Sequence, residues 1–95
     1  SRTAARAESR AIGQVLAEDV LMRLQLTPAR ELVPMADSLA RGDFPAPFAD
    51  CSWRASATPV RGQPRLIELR VVVAHGSDST ELRTRRFIPE PRGTP

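Results

Sequence analysis

Cysteine and histidine are almost absent from this chain, since Cys51 and His75 are the only residues of their kinds among 95. A lone cysteine excludes an intrachain disulfide and carries no information about the redox compartment. One cysteine and one histidine do not make a structural zinc site. Asp37 and Asp43 flank an irregular segment, but their spacing is not that of a calcium loop. From the sequence we expect no metal and no other cofactor.

The serine, histidine and aspartate that could form a hydrolase triad are also unfavourably spaced. His75, Ser77 and Asp78 fall within four positions of the chain, which is too close for a catalytic triad, because triad members normally come from distant segments. The composition of this stretch, with Gly76, is instead typical of a tight turn. There is no glycine-rich phosphate loop. We therefore expect a protein that is not an enzyme.

Lysine is absent, so all fourteen basic residues are arginines, and the net charge of +3 arises from interspersed charges. Arg83, Arg85 and Arg86 form the one candidate phosphate-binding patch. They lack the interleaved aromatic residues that stack nucleic acid bases, so a solvated face is the better interpretation. Nor is there an apolar run of the roughly 18 residues that a membrane span needs, and no signal peptide is recognisable.

Residues 1–26 predict a long helix whose core-facing stripe is wide enough to cover a sheet. At about 100° per residue, the stripe consists of Ile12, Gly13, Leu16, Ala17, Val20, Leu21 and Leu24. Thr27 and Pro28 end the helix, because the residue before proline avoids helical dihedrals and the ring blocks continuation. The pattern is already helical at Thr3 without a capping box, so we expect the helix to be truncated upstream.

A second apolar strip on another side of this helix is a candidate partner interface: Ala4, Ala11, Val15, Met22 and Leu26. Between the two faces lie Asp19 and Arg23, four residues apart with the acid first, the favourable order for a helical ion pair. Two interpretations remain open. Either Val15 and Met22 border the core and the alanines are simply good helix formers, or the strip packs against helices of neighbouring subunits.

The rest of the chain predicts a loop at 27–50, an antiparallel sheet at 51–88 and a frayed tail at 89–95. Within the loop, residues 29–39 have room for one or two helical turns, and Phe44 and Phe48 are aromatic anchors. Alternating apolar residues predict strands at Cys51–Thr58, Arg65–Ala74 and Thr80–Ile88. We expect a single α+β domain over residues 1–95, with the long helix on a small antiparallel sheet of three to four strands.

Two details of the sheet follow from single residues. Trp53, the sole tryptophan, is expected to fill the core under the helix, and the alternative is an anchor for a partner. A loop of four residues from His75 to Asp78 places Val71 opposite Leu82 and Glu68 opposite Arg85. A shift by one residue would instead oppose Arg70 and Arg85, a like-charge pair that sheets avoid. We therefore predict the first register.

The order of these pieces resembles the minor pseudopilins of the bacterial type II secretion system, and the I-type most. The matching pieces are a helix with A-E-x-x-L inside Ala11–Leu24, an irregular loop, W-x-A inside Phe48–Ala55, L-x-E-L-x-V-x-V at Leu66–Val73, and E-L-x-T-x-R at Glu81–Arg86. The resemblance covers most of the chain. It implies a pilin-like head and a structural role.

By this resemblance, the protein scaffolds a tip complex with J- and K-type pseudopilins and initiates assembly of a pseudopilus made of the major pseudopilin. A hydrophobic helix half with a processed, methylated N-terminus, typical of the family and outside this chain, would span the bacterial inner membrane and leave the head in the periplasm. The second apolar strip would then be a partner-helix surface. A minor pilin of a type IV pilus, with a role in DNA uptake, is the alternative.

Overall fold

A long helix precedes all of the strands in this protein. The computed structural model describes residues 2–32 and 39–88. In chain order the elements are α1 (Arg2–Leu26), α2 (Ala29–Leu32), β1 (Leu39–Asp43), β2 (Cys51–Val60), β3 (Gln63–His75) and β4 (Asp78–Phe87). The strands form one antiparallel sheet in the order β1-β2-β3-β4. The prediction of an α+β domain with a long helix on a small antiparallel sheet is therefore confirmed.

The core lies between α1 and the inner face of the sheet, and α1 packs mainly on β3 and β4. Its buried apolar side chains are Leu16, Ala17, Val20, Leu24, Leu32, Phe44, Cys51, Ala55, Ala57, Ile67, Leu69, Val71 and Val73. The helical stripe and the alternation along β3 both supply these residues at the positions that the sequence pattern predicts. The remaining residues of the stripe are also inside, since Gly13 is buried and Ile12 and Leu21 are half-buried.

The register of the second hairpin is as predicted, with Val71 opposite Leu82 and Glu68 opposite Arg85. The turn itself is shorter than the four-residue loop, because His75 and Asp78 already pair and only Gly76 and Ser77 connect the strands. Gly76 has a φ of 59°, a left-handed backbone conformation that glycine adopts readily and that tight hairpin turns require.

The prediction of a loop over 27–50 is wrong in part. Its helical portion is the single turn of α2, and residues 33–38 lie outside the described residues. β1 occupies Leu39–Asp43 and pairs with β2. The sequence of β1 is short and contains Gly42 and Asp43, residue types that strands disfavour, so pairing with β2 rather than propensity forms it. Phe44 is buried and Phe48 is half-buried, so both aromatic anchors are confirmed.

Trp53 lies on β2 directly opposite Gly42 of β1, and it packs against the core while remaining half-buried. A Cβ atom at Gly42 would lie only 2.5 Å from the Trp53 indole nitrogen, so the ring lies across the glycine backbone. The expected core role is confirmed. Its expected position under the helix is wrong. α1 packs mainly on β3 and β4, whereas Trp53 lies on β2 beside β1, toward the opposite edge of the sheet. The tail predicted at 89–95 lies outside the described residues.

Candidate interaction surface

The second apolar strip of α1 faces solvent along its whole length. Ala4 and Ala11 are exposed, and Val15, Met22 and Leu26 are 64%, 58% and 77% exposed. The interpretation that Val15 and Met22 border the core is therefore wrong. The residues that contact the sheet lie on the opposite side of the helix, so α1 carries one buried and one solvent-facing apolar surface.

The strip has polar borders that keep it distinct from the core. Along one side, the Arg23 guanidinium lies 2.7 Å from the Asp19 carboxylate, which is the ion pair that the spacing predicts. Both side chains are largely exposed, so this pair adds little stability. Along the other side, the Gln14 amide donates to the Glu18 carboxylate at 3.0 Å. Exposed apolar surface bordered by polar residues is typical of protein interaction sites.

The first turns of α1 reach beyond the sheet. Residues 4–8 are exposed on every side of the helix, and Ser9, which follows them, is half-buried. The Ser9 hydroxyl lies 2.7 Å from His75 Nδ1 at the end of β3. This hydrogen bond ties the helix to the sheet, and the turns that precede it present an exposed helix surface.

A polar cluster that the sequence pattern does not predict surrounds this contact. His75 Nε2 lies 3.3 Å from the Asp50 carboxylate, and the Cys51 thiol donates to the other carboxylate oxygen at 3.7 Å. Burial raises the pKa of the Cys51 thiol, and the charge of Asp50 and its hydrogen bond to Cys51 raise it further. The structure thus brings together Ser9, Asp50, Cys51 and His75 from α1, the turn before β2, and the ends of β2 and β3.

This cluster contains a serine, a histidine and an aspartate from distant segments, but the backbone around Ser9 does not supply an oxyanion hole. Ser9 lies inside α1, where the backbone N–H groups bond to carbonyls of the same helix. Those groups cannot serve as an oxyanion hole, which requires free donors aimed at the developing charge. The turn role expected for His75 is therefore incomplete, because its ring also connects α1 to the turn that precedes β2.

The three arginines of the candidate phosphate-binding patch do not share one surface. Arg83 and Arg85 are exposed, and the Arg83 guanidinium lies within 3.8 Å of Glu68 and also bonds to Glu81. Arg86 is half-buried and turns to the helix side, where it donates to the backbone carbonyls of Leu24 and Thr27. The predicted cluster is wrong, because alternate residues of a strand point to opposite faces.

Comparison with known proteins identifies no relative. No family model matches the chain, nor does any curated protein or solved structure. Within residues 2–32 and 39–88, no helix has the length and apolar character that crossing a membrane requires.

Proposed function

We propose that this protein is a structural subunit of a pilin-like assembly, of the minor pseudopilin type, whose α1 packs against the helix of a neighbouring subunit. The observation that carries the proposal is the solvent-facing apolar strip on a helix whose other face already covers a sheet. A helix that serves only its own domain needs one apolar face. The second face, with Val15 and Met22 at its centre, is most simply explained by a second helical partner.

The architecture supports the same choice. A long helix that packs on a small antiparallel sheet with its C-terminal part, and extends past the sheet with its N-terminal part, leaves its first turns accessible to parallel neighbours. Burial of an exposed Val, Met or Leu side chain contributes about 1.5–3 kcal/mol. Three such side chains along one strip provide a sizeable part of the affinity that a specific helix–helix contact needs, before the costs of association are subtracted.

The finer parts of the proposal rest on the motif resemblance. We assign the protein to a type II secretion tip complex, with J- and K-type pseudopilins and the major pseudopilin as partners. In this assignment a hydrophobic helix outside the present chain anchors the protein in the bacterial inner membrane, and the head lies in the periplasm. We do not extend the proposal to nucleic acid binding, because Arg86 is directed away from the surface that Arg83 and Arg85 share.

The test is binding between this chain and the soluble head of a J-type pseudopilin from the same genome, measured by size-exclusion chromatography and calorimetry. We expect a stoichiometric complex. Replacement of Val15 and Met22 by Glu should weaken it at least about 30-fold, because two carboxylates would be buried without partners. The matched control adds the same two charges at exposed polar positions outside the strip, as Gln25→Glu and Gln63→Glu, and should bind within about threefold of wild type.

Circular dichroism of each variant separates lost binding from lost folding. Absence of a complex with a folded wild-type head contradicts the assignment to a secretion tip. Undiminished binding by the Val15→Glu, Met22→Glu variant contradicts the role of the strip even if a complex forms. A type IV minor pilin would instead assemble with pilus subunits, and the same variant tests whether the strip is used there.

A further inference from the structure

Three potential metal ligands of different chemistry meet at the end of the sheet nearest to the N-terminal half of α1. Asp50, Cys51 and His75 each place one ligand atom within 4.8 Å of the other two. Cys51 is the first residue of β2, His75 is the last of β3, and the two pair directly across the ladder. The sheet register therefore sets the positions of the sulfur and nitrogen ligands, and Asp50 precedes Cys51 in the turn.

Two of these separations match those of a tetrahedral zinc site, since the Asp50 carboxylate lies 3.3 Å from His75 Nε2 and 3.7 Å from the Cys51 sulfur. Zinc bonds of about 2.0–2.3 Å place neighbouring ligand atoms about 3.3–3.8 Å apart. Asp50 is exposed, so its carboxylate is free to rotate toward the other two ligands without disturbing the core. The buried Cys51 and the half-buried His75 would supply the fixed part of the site.

A fourth residue orients the imidazole. Ser9 Oγ lies 2.7 Å from His75 Nδ1, and the other ring nitrogen, Nε2, lies 3.3 Å from the Asp50 carboxylate. A metal-binding histidine almost always donates its other ring N–H to an outer partner, which fixes the tautomer. With the Nδ1 proton donated to Ser9, the lone pair of Nε2 is directed to the position where Asp50 and Cys51 converge.

We propose that Asp50, Cys51 and His75 bind one Zn²⁺ ion, with water as the fourth ligand. The thiol proton of Cys51 is released to solvent as the Zn–S bond forms. A thiolate and an imidazole favour zinc-like transition metals, whereas Mg²⁺ and Ca²⁺ prefer sets made of oxygen alone. The expectation that one cysteine and one histidine exclude zinc applies to closed structural sites, and it does not exclude a site with three protein ligands and one water. This site is independent of the proposed function.

Binding should stabilise the folded chain. The ion would join the ends of β2 and β3, and through the Ser9–His75 hydrogen bond it would restrict the motion of the N-terminal half of α1. Because a ligand that binds only the folded state stabilises it, Zn²⁺ should raise the unfolding temperature in proportion to the logarithm of its free concentration.

The first experiment titrates the metal-free, reduced 95-residue chain with Co²⁺ and then displaces Co²⁺ with Zn²⁺, with a reductant that does not chelate metals. Co²⁺ is the probe because a cobalt–thiolate bond produces a charge-transfer absorption band. We expect one Co²⁺ per chain, a thiolate band, and its loss at one equivalent of Zn²⁺. The proposal is overturned if the chain binds no Co²⁺, or if it binds Co²⁺ without a cobalt–thiolate band.

The second experiment compares variants by the same titration. Asp50→Asn and His75→Gln should each weaken Zn²⁺ binding by at least about 10-fold, and Ser9→Ala by about 10- to 100-fold with the thiolate band retained. Asp19→Asn, which removes an equal charge from an exposed position on α1, is the matched control and should bind as wild type does. Cys51 is buried, so Cys51→Ala is included only if circular dichroism shows that it folds.

The variants also exclude binding elsewhere on the chain. If Asp50→Asn and His75→Gln retain wild-type affinity, the ion is bound by other groups and the proposed site is wrong. If the metal binds but leaves the unfolding temperature of wild type unchanged, the ion does not bind the folded state preferentially, and the proposal is again contradicted.

Discussion

Arg70 and Arg83 lie directly opposite each other on β3 and β4, and they share the carboxylate of Glu81. Arg70 Nε lies 2.8 Å from Glu81 Oε1, and the Arg83 guanidinium donates to the same oxygen. Like charges directly across a ladder destabilise a sheet. Glu81 lies between the two cations and offsets this repulsion, and the Glu68 carboxylate, 3.8 Å from Arg83, adds a second negative charge on the same face.

This arrangement predicts an acid-sensitive hairpin. Hydrogen bonds from Arg70 and then Arg83 lower the pKa of Glu81 from its ordinary 4.5 to about 2. Because the pKa is lower in the folded state, the contribution of Glu81 to stability is complete above pH 4.5 and is lost as the pH falls toward 2. Glu81→Gln should therefore lower the denaturant midpoint at pH 7, and its difference from wild type should shrink over that interval.

The measurement is denaturant unfolding of wild type and Glu81→Gln between pH 7 and pH 2, with Glu8→Gln as an exposed control on α1. Added salt should also reduce the effect, because the groups are exposed and screened. A difference between wild type and Glu81→Gln that stays constant down to pH 2 would contradict the assignment of the effect to this carboxylate.

A second prediction concerns Gly13, where α1 closely approaches β4. A Cβ atom there would lie 2.5 Å from Thr80 Oγ1 and 3.4 Å from Thr80 Cβ. Alanine normally stabilises a helix interior by about 1 kcal/mol relative to glycine. At this position we expect Gly13→Ala to destabilise by about 1–2 kcal/mol, because overpacking outweighs the gain in propensity.

The check is a double-mutant cycle with Thr80→Ala, measured by denaturant unfolding. Removal of the Thr80 hydroxyl and methyl groups leaves only the 3.4 Å approach to Cβ, which neighbours can absorb. We expect the double variant to be more stable than the sum of the single effects by at least about 0.5 kcal/mol. Additive effects would indicate that the helix moves to accommodate the added methyl group without involving Thr80.

The periodic spacing of apolar residues predicts most of the fold of this chain. The stripe centred on Leu16 and Val20 packs on the sheet, and the alternation through Leu69 and Val71 identifies the inner face of β3. Both patterns repeat over enough residues to be unambiguous. The predicted register of the second hairpin is confirmed, although the reason is incomplete. That register also opposes two arginines, Arg70 and Arg83, and it is tolerated because Glu81 lies between them.

The sequence does not predict the polar cluster, because an irregularity in the pairing of β2 with β3 determines which residues meet there. The first hairpin closes with Val60 paired to Gln63, and continuation of that register would place Cys51 opposite Val72. An irregularity between Pro59 and Val60 shifts the ladder, so that Cys51 instead meets His75. β1 was missed for a related reason, since its short sequence has no strand signal of its own and depends on the edge of β2.

A third prediction uses Trp53 as the only tryptophan reporter. Gly42→Ala would place a Cβ atom 2.5–2.6 Å from three atoms of the indole ring, so the ring must move away from β1. We expect a red-shifted tryptophan emission, because the displaced ring is more exposed, together with a lower unfolding midpoint.

Gly62→Ala provides the control for this substitution. It meets no atom within 4 Å, but its φ of 79° disfavours any residue with a Cβ. This variant should lose stability, by about 1 kcal/mol, without any change in the emission of the folded state. An unchanged emission spectrum in Gly42→Ala would show that the backbone of β1 moves rather than the ring.

The final prediction concerns Arg86, which binds the C-terminal end of α1 from β4. Its Nη1 donates to the Leu24 carbonyl at 3.0 Å and also to the Thr27 carbonyl. The last carbonyls of a helix have no partner within the helix, so a cationic donor there satisfies them and interacts favourably with the helix dipole. Arg86→Met retains the aliphatic stem and should destabilise by about 1.5–3 kcal/mol, the usual value of a hydrogen bond from a charged group. Arg85→Met removes the same charge from the exposed outer face and should change stability by no more than about 0.5 kcal/mol.

Hydrogen exchange then localises the effect, because loss of the cap should accelerate exchange at the C-terminal end of α1 in Arg86→Met alone. Equal losses of stability in the two variants would mean that net charge, rather than the capping contact, accounts for the contribution of Arg86.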